Sequence, residues 1–500
     1  MPGSSDRHLS RRSFLRTGAG LGSWLVASGC HDAGRSGVGS RRAAPGLPTL
    51  EPGTLPHPEL PAGTDTLPLI DHIVVLMLEN HSYDNFLGTL GRTGADGLTL
   101  ASDGRPTASN PYADGRAQHA FRMPTTCQLD GEPNQSWVNS HVQYDRGRND
   151  GFVRSGSGPV AMGYWTGDEL PFLHGLATTF PVGDRYFSSL LGPTFPNRRY
   201  LLAATSFGQV RDDLPGARSH PPNGTMLERL TAHGIGWKNY FSDLPTADLF
   251  PLLAAANRDK VVPIADFFSD ARAGSLPGFS LVDPRFSGFR GGTRAPATSQ
   301  EDPQNIARGE EFTAQVVNAV MGGPAWPKTM LVYTYDEHGG WYDHVPPPAA
   351  VAPDSIGPEV PGDQRYDGFA RYGFRVPCVV VSPYARPGYV SHVVHDHTSI
   401  LKLVETKWNL GALTYRDANA SNLLDLVDLR SRPAFLSPPT LPAPGVTATR
   451  GADLACARTG PGQIPAPGSV TGSPAGTGGR PADVGPSGGR LVPPRDGTIS

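Results

Sequence analysis

The sequence predicts an α/β fold with a mostly parallel central sheet and helices on both faces. Three apolar runs carry that expectation: Ile73-Val74-Val75-Leu76-Met77-Leu78, residues 330–335 and residues 376–381. Each is continuous rather than alternating, as strands are when helices cover both faces of a parallel sheet. A fourth stretch, residues 399–410, sets Ile400, Leu401, Val404 and Trp408 along one side of a helix that supplies such a cover. With 500 residues, the chain is read as one large domain with insertions.

The two ends differ from this middle. Ser10-Arg11-Arg12-Ser13-Phe14-Leu15-Arg16 carries the paired arginines of a twin-arginine export signal, and residues 17–29 follow as a short run of apolar and small residues. That run is too short to anchor stably across a bilayer. Residues 1–29 are therefore read as a signal peptide, with the mature chain periplasmic, cell-surface or secreted. Ala27-Ser28-Gly29-Cys30 resembles a lipoprotein processing site, although Ala27 stands where a larger aliphatic is usual. Cys30 is thus a candidate membrane tether, with lipidation left open. If Cys30 is lipidated, Cys127, Cys378 and Cys456 allow at most one intrachain disulfide.

Residues 30–68 are rich in Gly, Pro and small polar types and read as a flexible linker. Residues 431–500 hold 13 Pro and 13 Gly with one aromatic, Phe435, too little apolar surface to offset the entropy of ordering. A disordered tail is expected there. The functional domain is placed at residues 69–430, with a loop-rich insertion at about residues 211–304. A formal charge of -3 gives no basic surplus favouring nucleic acid, and no partner protein is indicated.

Two of the apolar runs end in acids, Glu79-Asn80-His81-Ser82-Tyr83-Asp84 and Asp336-Glu337-His338-Gly339-Gly340. Ligands of open parallel sheets bind outside the carboxyl ends of the strands, where these oxygen donors converge on one hard or borderline divalent cation. The competing reading makes them caps of following helices. Gly192-Pro193-Thr194-Phe195-Pro196-Asn197-Arg198 precedes a helix-like run, which puts Thr194 at a helix N-terminus. Amides and dipole there favour a phosphate, a nearby cation activates the hydroxyl, and Asn197 and Arg198 are candidate phosphoryl contacts. An ordinary N-cap is the alternative for Thr194.

Together these segments resemble the bacterial phosphoesterase family that includes phosphatidylcholine-type phospholipases C and periplasmic acid phosphatases. The family's Asp-His-Ile-Val strand and Glu-Asn-x-Ser-Phe-Asp segment match residues 71–74 and 79–84, with Tyr83 in place of Phe. Its Gly-Pro-Thr-x-Pro-Asn-Arg segment matches residues 192–198, and its Asp-Glu-x-Gly-Gly segment residues 336–340. Residues 341–348, 163–164, 184–187, 375–377, 396–399 and 416–420 extend the resemblance over about residues 69–430. It implies an alkaline-phosphatase-like three-layer sandwich and a phosphothreonine formed on Thr194. It also implies a metal on Glu79, Asn80, Asp336 and Glu337, beside the nucleophile.

Histidines suit protonation of a leaving alkoxide. His141, in a segment resembling an active-site histidine segment of the family, ranks ahead of His338, and His344 and His397 stand as further candidates. Where family members carry a His-Pro segment, this chain has Asp302-Pro303, so Asp302 replaces an active-site histidine and is a poorer proton donor at neutral pH. The expected function is metal-dependent hydrolysis of a phosphoester, with a phospholipid-type diester as first choice and a phosphomonoester as second. A non-catalytic surface-tethered binding protein is the reading from another class, opposed by an intact Thr194 and ligand set. A sulfatase-like enzyme is disfavoured because the nucleophile motif differs.

Overall fold

A computed structural model of the chain describes residues 50–127, 133–286, 289–290, 293–294, 297–301, 305–445 and 464–469. The twin-arginine segment, Cys30, Asp302 and Cys456 lie outside them. The centre is an eight-stranded sheet. In chain order its strands are β1 (His72–Leu78), β2 (Val182–Gly183), β3 (Trp237–Phe241), β4 (Val261–Pro263), β5 (Phe279–Asp283), β6 (Thr329–Tyr335), β7 (Cys378–Val381) and β8 (Val390–Ser391). Across the sheet they lie in the order β8-β2-β7-β6-β1-β5-β3-β4. From β6 through β4 every pairing is parallel, whereas β7 runs antiparallel to both β6 and β2. Residues 376–381, expected as one of the parallel strands, thus supply the reversed one.

β1 forms because β-branched Ile73, Val74 and Val75 favour the extended backbone and every following residue to Leu78 is apolar. Successive strand residues point to opposite faces, and those from 73 to 78 are all fully buried, so both faces are covered. At about 1.5–3 kcal/mol for each buried large aliphatic side chain, these central strands hold the core together. The helices that matter for the site are α1 (Tyr83–Leu87), α2 (Trp137–Tyr144), α3 (Thr194–Ala203), α4 (Ile264–Ala273), α5 (Ile306–Gly322) and α6 (His397–Trp408). They cover the sheet as packed pairs, α3 with α6 and α4 with α5.

Three boundaries differ from expectation. The region 211–304, read as a loop-rich insertion, delivers β3, β4 and β5 to the main sheet. These strands are three to five residues long and separated by short helices, so no single apolar run announces them. Residues 50–68, read as part of the tether, dock on the C-terminal end of α6. The Gly63 and Thr66 amides donate to Trp408 O and Lys407 O, and the Lys407 ammonium pairs with Asp65. Residues 431–445, assigned to the tail, are also held: the Trp326 indole donates to Phe435 O, and the Gly445 amide donates to Glu310. Backbone hydrogen bonds secure these segments, which composition alone does not reveal. Cys378 is a free buried thiol, and Cys127 is disulfide-bonded to a partner outside the described residues.

Asn409 fixes the first of these segments. It occupies a left-handed backbone position (φ 46°) after α6, donates to His57 O (2.9 Å) and Leu60 O (2.9 Å), and accepts from the His57 amide (2.9 Å). Asn409→Gly keeps the backbone conformation but deletes these bonds. We expect a loss of about 1–3 kcal/mol and faster proteolysis within residues 50–63. Unchanged denaturant melts and an unchanged digestion pattern would refute the docking role.

Candidate active site

Three parallel neighbours, β1, β5 and β6, end side by side in acids. Glu79 follows β1, Asp283 closes β5, and Asp336 and Glu337 follow β6, all fully buried. The sheet register sets this alignment, since Leu78 pairs with Tyr335 and the next residues of both strands emerge together. Arg198, 2% exposed on α3, reaches into the group. Its Nε donates to Asp336 Oδ2 at 2.9 Å, Nη1 to Asp283 Oδ1 at 3.3 Å, and Nη2 lies 3.5 Å from Glu79 Oε2. Nη2 also donates to Leu78 O at 3.1 Å, and the face of Phe286 lies 4.7 Å from the guanidinium.

Three carboxylates therefore meet around one bonded guanidinium, with Glu337 next in sequence to one of them. Burial, and then the charge of Asp336, push the Glu337 carboxyl well above its ordinary pKa, while Asn80 Nδ2 donates to Glu337 Oε1 at 2.8 Å. Burial likewise raises Asp283 against the opposing pull of Arg198. A buried group of hard oxygen donors carrying more negative than positive charge has the donor chemistry of a divalent-cation site. Glu79, Asn80, Asp336 and Glu337 fit such an ion.

The turn after Glu337 admits glycine alone. Gly339 and Gly340 have φ of +66° and +82°, and a Cβ on Gly339 would sit 2.0 Å from Asn80 O. The close approach lets the Gly339 amide donate to Glu337 Oε2 at 2.7 Å. On the other side, α3 begins at Thr194. Its hydroxyl is buried, with the residue 1% exposed, and Oγ1 has no hydrogen-bond partner among the described residues. The next amide, Phe195 N–H, donates to Asp212 Oδ1 at 2.6 Å.

A model of the Phosphoesterase family matches residues 70–411. The chain belongs to that family. Phospholipase C B of Mycobacterium tuberculosis is 31% identical over 434 residues, covering 75% of this chain and 80% of the relative. Non-specific phospholipase C6 of Arabidopsis thaliana is 30% identical over 407 residues, covering 75% of each. A solved protein of the alkaline phosphatase superfamily from Vibrio parahaemolyticus superposes with a TM-score of 0.36 at 9% identity, over 78% of this chain and 76% of that one. The chain is accordingly a hydrolase of phosphoesters built on an α/β core.

In this phosphoesterase the two expected phosphoryl contacts are engaged elsewhere. Asn197 Oδ1 accepts the Ser189 and Leu190 amides at 2.9 and 3.1 Å, and Nδ2 donates to Gly192 O and Pro193 O, so its amide shapes the loop before Thr194. Arg198 faces the protein's own carboxylates, as described.

The four histidines are committed to different degrees. His397 donates from Nε2 to Asp336 O (2.6 Å) and accepts at Nδ1 from Tyr186 (3.2 Å); burial holds it neutral, its pKa lowered to about 4. His338 is pushed down to about 3 by burial; its Nε2 bonds to Gln143 Oε1 (2.7 Å) and its Nδ1 lies 3.3 Å from Glu337. Both are anchors of the strand-end loop. His141 donates from Nδ1 to Trp137 O at 2.7 Å, stacks on Tyr366 at 3.9 Å, and turns Nε2 toward Asp367 at 3.8 Å.

His344 lies with Asp84 and Asp343 in a cluster whose spacing alone would suit a cation. That position is already balanced. The fully buried Arg375 guanidinium bonds Asp84 Oδ1 and Asp343 Oδ1, both at 2.9 Å, and His344 Nδ1 bonds Asp84 Oδ2 at 2.7 Å. Two positive groups thus neutralise two carboxylates.

Asp283, Asp212, Arg375 and Gln143 belong to the site's framework without having been singled out in the sequence. Asp283 had a readable signal, since Phe279-Ser280-Leu281-Val282-Asp283 repeats the pattern of an apolar strand ending in an acid. Asp212 had none, as it acts from a loop.

The His344 bridge has a pH signature. Burial pulls its pKa down, but the hydrogen bond it donates to Asp84 and the charges of Asp84 and Asp343 outweigh it and raise it from 6.5 to about 9. A raised histidine pKa adds stability that is complete below pH 6.5 and is lost as pH climbs through about 9. Thermal melts of the wild type and of His344→Gln should therefore differ most at pH 6.5 and converge above about 9. Parallel curves across that window would dismiss the bridge.

Proposed function

We propose that this chain hydrolyses phosphodiesters in the manner of a phospholipase C, through a phosphothreonine formed on Thr194. The observation that carries the reading is the buried Thr194 hydroxyl, unpartnered among the described residues, at the first turn of α3, one turn before the Arg198 that bonds acids gathered at the ends of three strands. A buried hydroxyl without a partner is costly in a finished core, and its partner here is the substrate's phosphoryl group. The names of the relatives at about 30% identity, phospholipases C in a bacterium and a plant, support a diester substrate.

The chain's own groups have the following roles. Thr194 Oγ1 forms a bond to phosphorus as the bond to the leaving alkoxide breaks, and water then displaces the threonine to release the phosphomonoester of the head group. Of the first-turn amides of α3, that of Phe195 is held by Asp212 and Pro196 has none, so the Thr194 amide is the one that receives a phosphoryl oxygen. His141 is the histidine retained for proton transfer to the departing alkoxide, since its Nε2 is held less closely than the ring nitrogens of His397 and His338. Glu79, Asn80, Asp336 and Glu337 would hold a divalent metal, which when bound supplies positive charge to the alkoxide and to the phosphoryl oxygens. Arg198 and His397 hold the backbone and carboxylate of Asp336 in place for that purpose. The Ser10 to Arg16 segment supports export by the twin-arginine route, and Cys30 a membrane tether, as parts of the same proposal.

Cleavage of p-nitrophenyl phosphorylcholine and p-nitrophenyl phosphate by the wild type and Thr194→Ala tests the nucleophile. The diester should be cleaved preferentially, and the variant should lose on the order of 10³-fold or more in kcat/KM. Preference for the monoester would make the enzyme a phosphatase, and full activity in the variant would remove Thr194 from the mechanism. Metal dependence has a separate readout. Excess divalent ion should raise the melting temperature of the chelator-treated protein, by about 2.7 kcal/mol of stability at a hundredfold excess over Kd, and Glu337→Gln should blunt that response. A melting temperature indifferent to every divalent ion would reject the site.

A further inference from the structure

We propose that Asp212 is a charge selector at the phosphoryl-binding end of α3, favouring monoanionic phosphodiesters over dianionic phosphomonoesters. The inference rests on the reading of Thr194 as the point of attack and names the substrate charge that this site accepts.

The amide of Phe195 is one residue beyond Thr194 and points out of the first turn of a ten-residue helix. It is a donor that a phosphoryl oxygen on Thr194 would seek, and Asp212 Oδ1 holds it at 2.6 Å. A carboxylate therefore stands where an anionic ligand arrives, next to a buried hydroxyl that has no partner of its own. Its charge is felt as far as Glu337, so Asp212 belongs to the field of the strand-end acids as well as to the helix.

Arg199 explains why a carboxylate stays there. It follows Phe195 by four residues and so shares its side of α3. The residue is 1% exposed, and neither Nε nor Nη1 has a hydrogen-bond partner. The guanidinium lies over the ring of Phe207 at 5.6 Å and in the field of Asp212, Asp213 and Glu359. A buried positive charge that is not consumed by hydrogen bonds stabilises acids around it, and Asp212 is one of them.

Coulomb repulsion scales with the product of charges, so Asp212 opposes a dianion about twice as strongly as a monoanion. A phosphodiester carries one negative charge, whereas a monoester carries a second above its pKa of about 6. A divalent ion held by the strand-end acids would attract both substrates. Asp212 subtracts from that attraction, and subtracts more from the monoester. Lipid-like diesters and small soluble diesters share this charge, so the device selects by phosphate ionisation and not by the rest of the molecule.

The test uses the full metal-loaded chain and Asp212→Asn, which keeps an oxygen acceptor for the Phe195 amide and removes the charge. Asp212→Glu serves as a charge-retaining control. Binding of methyl phosphate and dimethyl phosphate is measured by calorimetry at pH 8, beside kcat/KM for p-nitrophenyl phosphate and bis(p-nitrophenyl) phosphate. Asp212→Asn should tighten methyl phosphate, and raise monoester relative to diester turnover, by about tenfold, with dimethyl phosphate affinity changed far less and Asp212→Glu keeping the wild-type preference between monoester and diester. An unchanged ratio with unchanged methyl phosphate affinity overturns the proposal, as does failure of either protein to bind either phosphate. If Thr194→Ala stays active while Asp212→Asn still tightens methyl phosphate, the nucleophile assignment fails and the selector stands. If Thr194→Ala is inactive and Asp212→Asn changes nothing, the reverse holds.

Discussion

The contact on which the site's arrangement depends is the guanidinium of Arg198 at the ends of three parallel strands. Glu79, Asp283 and Asp336 emerge from β1, β5 and β6 within reach of one another, and like charges held that close in a buried setting repel. Arg198 offsets that repulsion with one donor toward each acid. Because Arg198 sits one turn after Thr194, the same contact sets the position of α3 against the sheet. Thr194 and the acids are thereby placed by one side chain. Arginine suits this task through its planar, permanently charged fork; lysine would present a point charge to one acid at a time.

A second arginine does the equivalent work one layer out. Arg375 joins Asp84, at the start of α1, to Asp343 in the segment following the Gly339-Gly340 turn. It therefore locks together the two loops that leave β1 and β6 carrying the acids. His344 completes that lock from the solvent side. The inner cluster, around Arg198, keeps an excess of negative charge, while the outer one is balanced by Arg375 and His344. This difference in charge balance is what favours the inner group for the proposed cation, although the ligand atoms spaced for one among the described residues are those of Asp84, Asp343 and His344.

How much of this was legible in the sequence follows from the range of the interactions involved. β1 and β6 were readable because each is a seven-residue buried strand ending in an acid, and Thr194 was readable because Gly-Pro before it and a helical run after it fix a helix start. The direction of β7 was not, since a buried central strand is apolar in either sense of pairing. The short strands β3, β4 and β5 were hidden because three to five residues carry little periodicity. Arg198 was assigned to the substrate because its chemistry, affinity for anions, is visible in a sequence, whereas which anion it meets is decided by sheet register. Asn197 is engaged elsewhere for a related reason: an amide side chain serves a loop as readily as a substrate, and the tight loop before Thr194 takes up its hydrogen bonds. Residues 50–68 were read as tether because their composition is that of a linker, but backbone amides and carbonyls hold them, and those groups are the same in every sequence.

Charge is the quantity that connects the fold to the chemistry. The core acids alone would make the mouth of the sheet hostile to any phosphate, so an anionic substrate requires positive charge in excess of what Arg198 supplies to its own neighbours. The oxygen donors of Glu79, Asn80, Asp336 and Glu337 are the groups through which that charge enters in the proposed mechanism. Once it is present, the remaining balance at the first turn of α3 is narrow: helix amides attract the phosphoryl group, and Asp212 opposes it. A narrow balance is sensitive to one unit of charge, and one unit is the difference between a diester and a monoester. A fold that places its acids by sheet register and Thr194 by a helix start would leave the proposed selection of substrate charge to a loop residue, the kind of position that can change without disturbing the core.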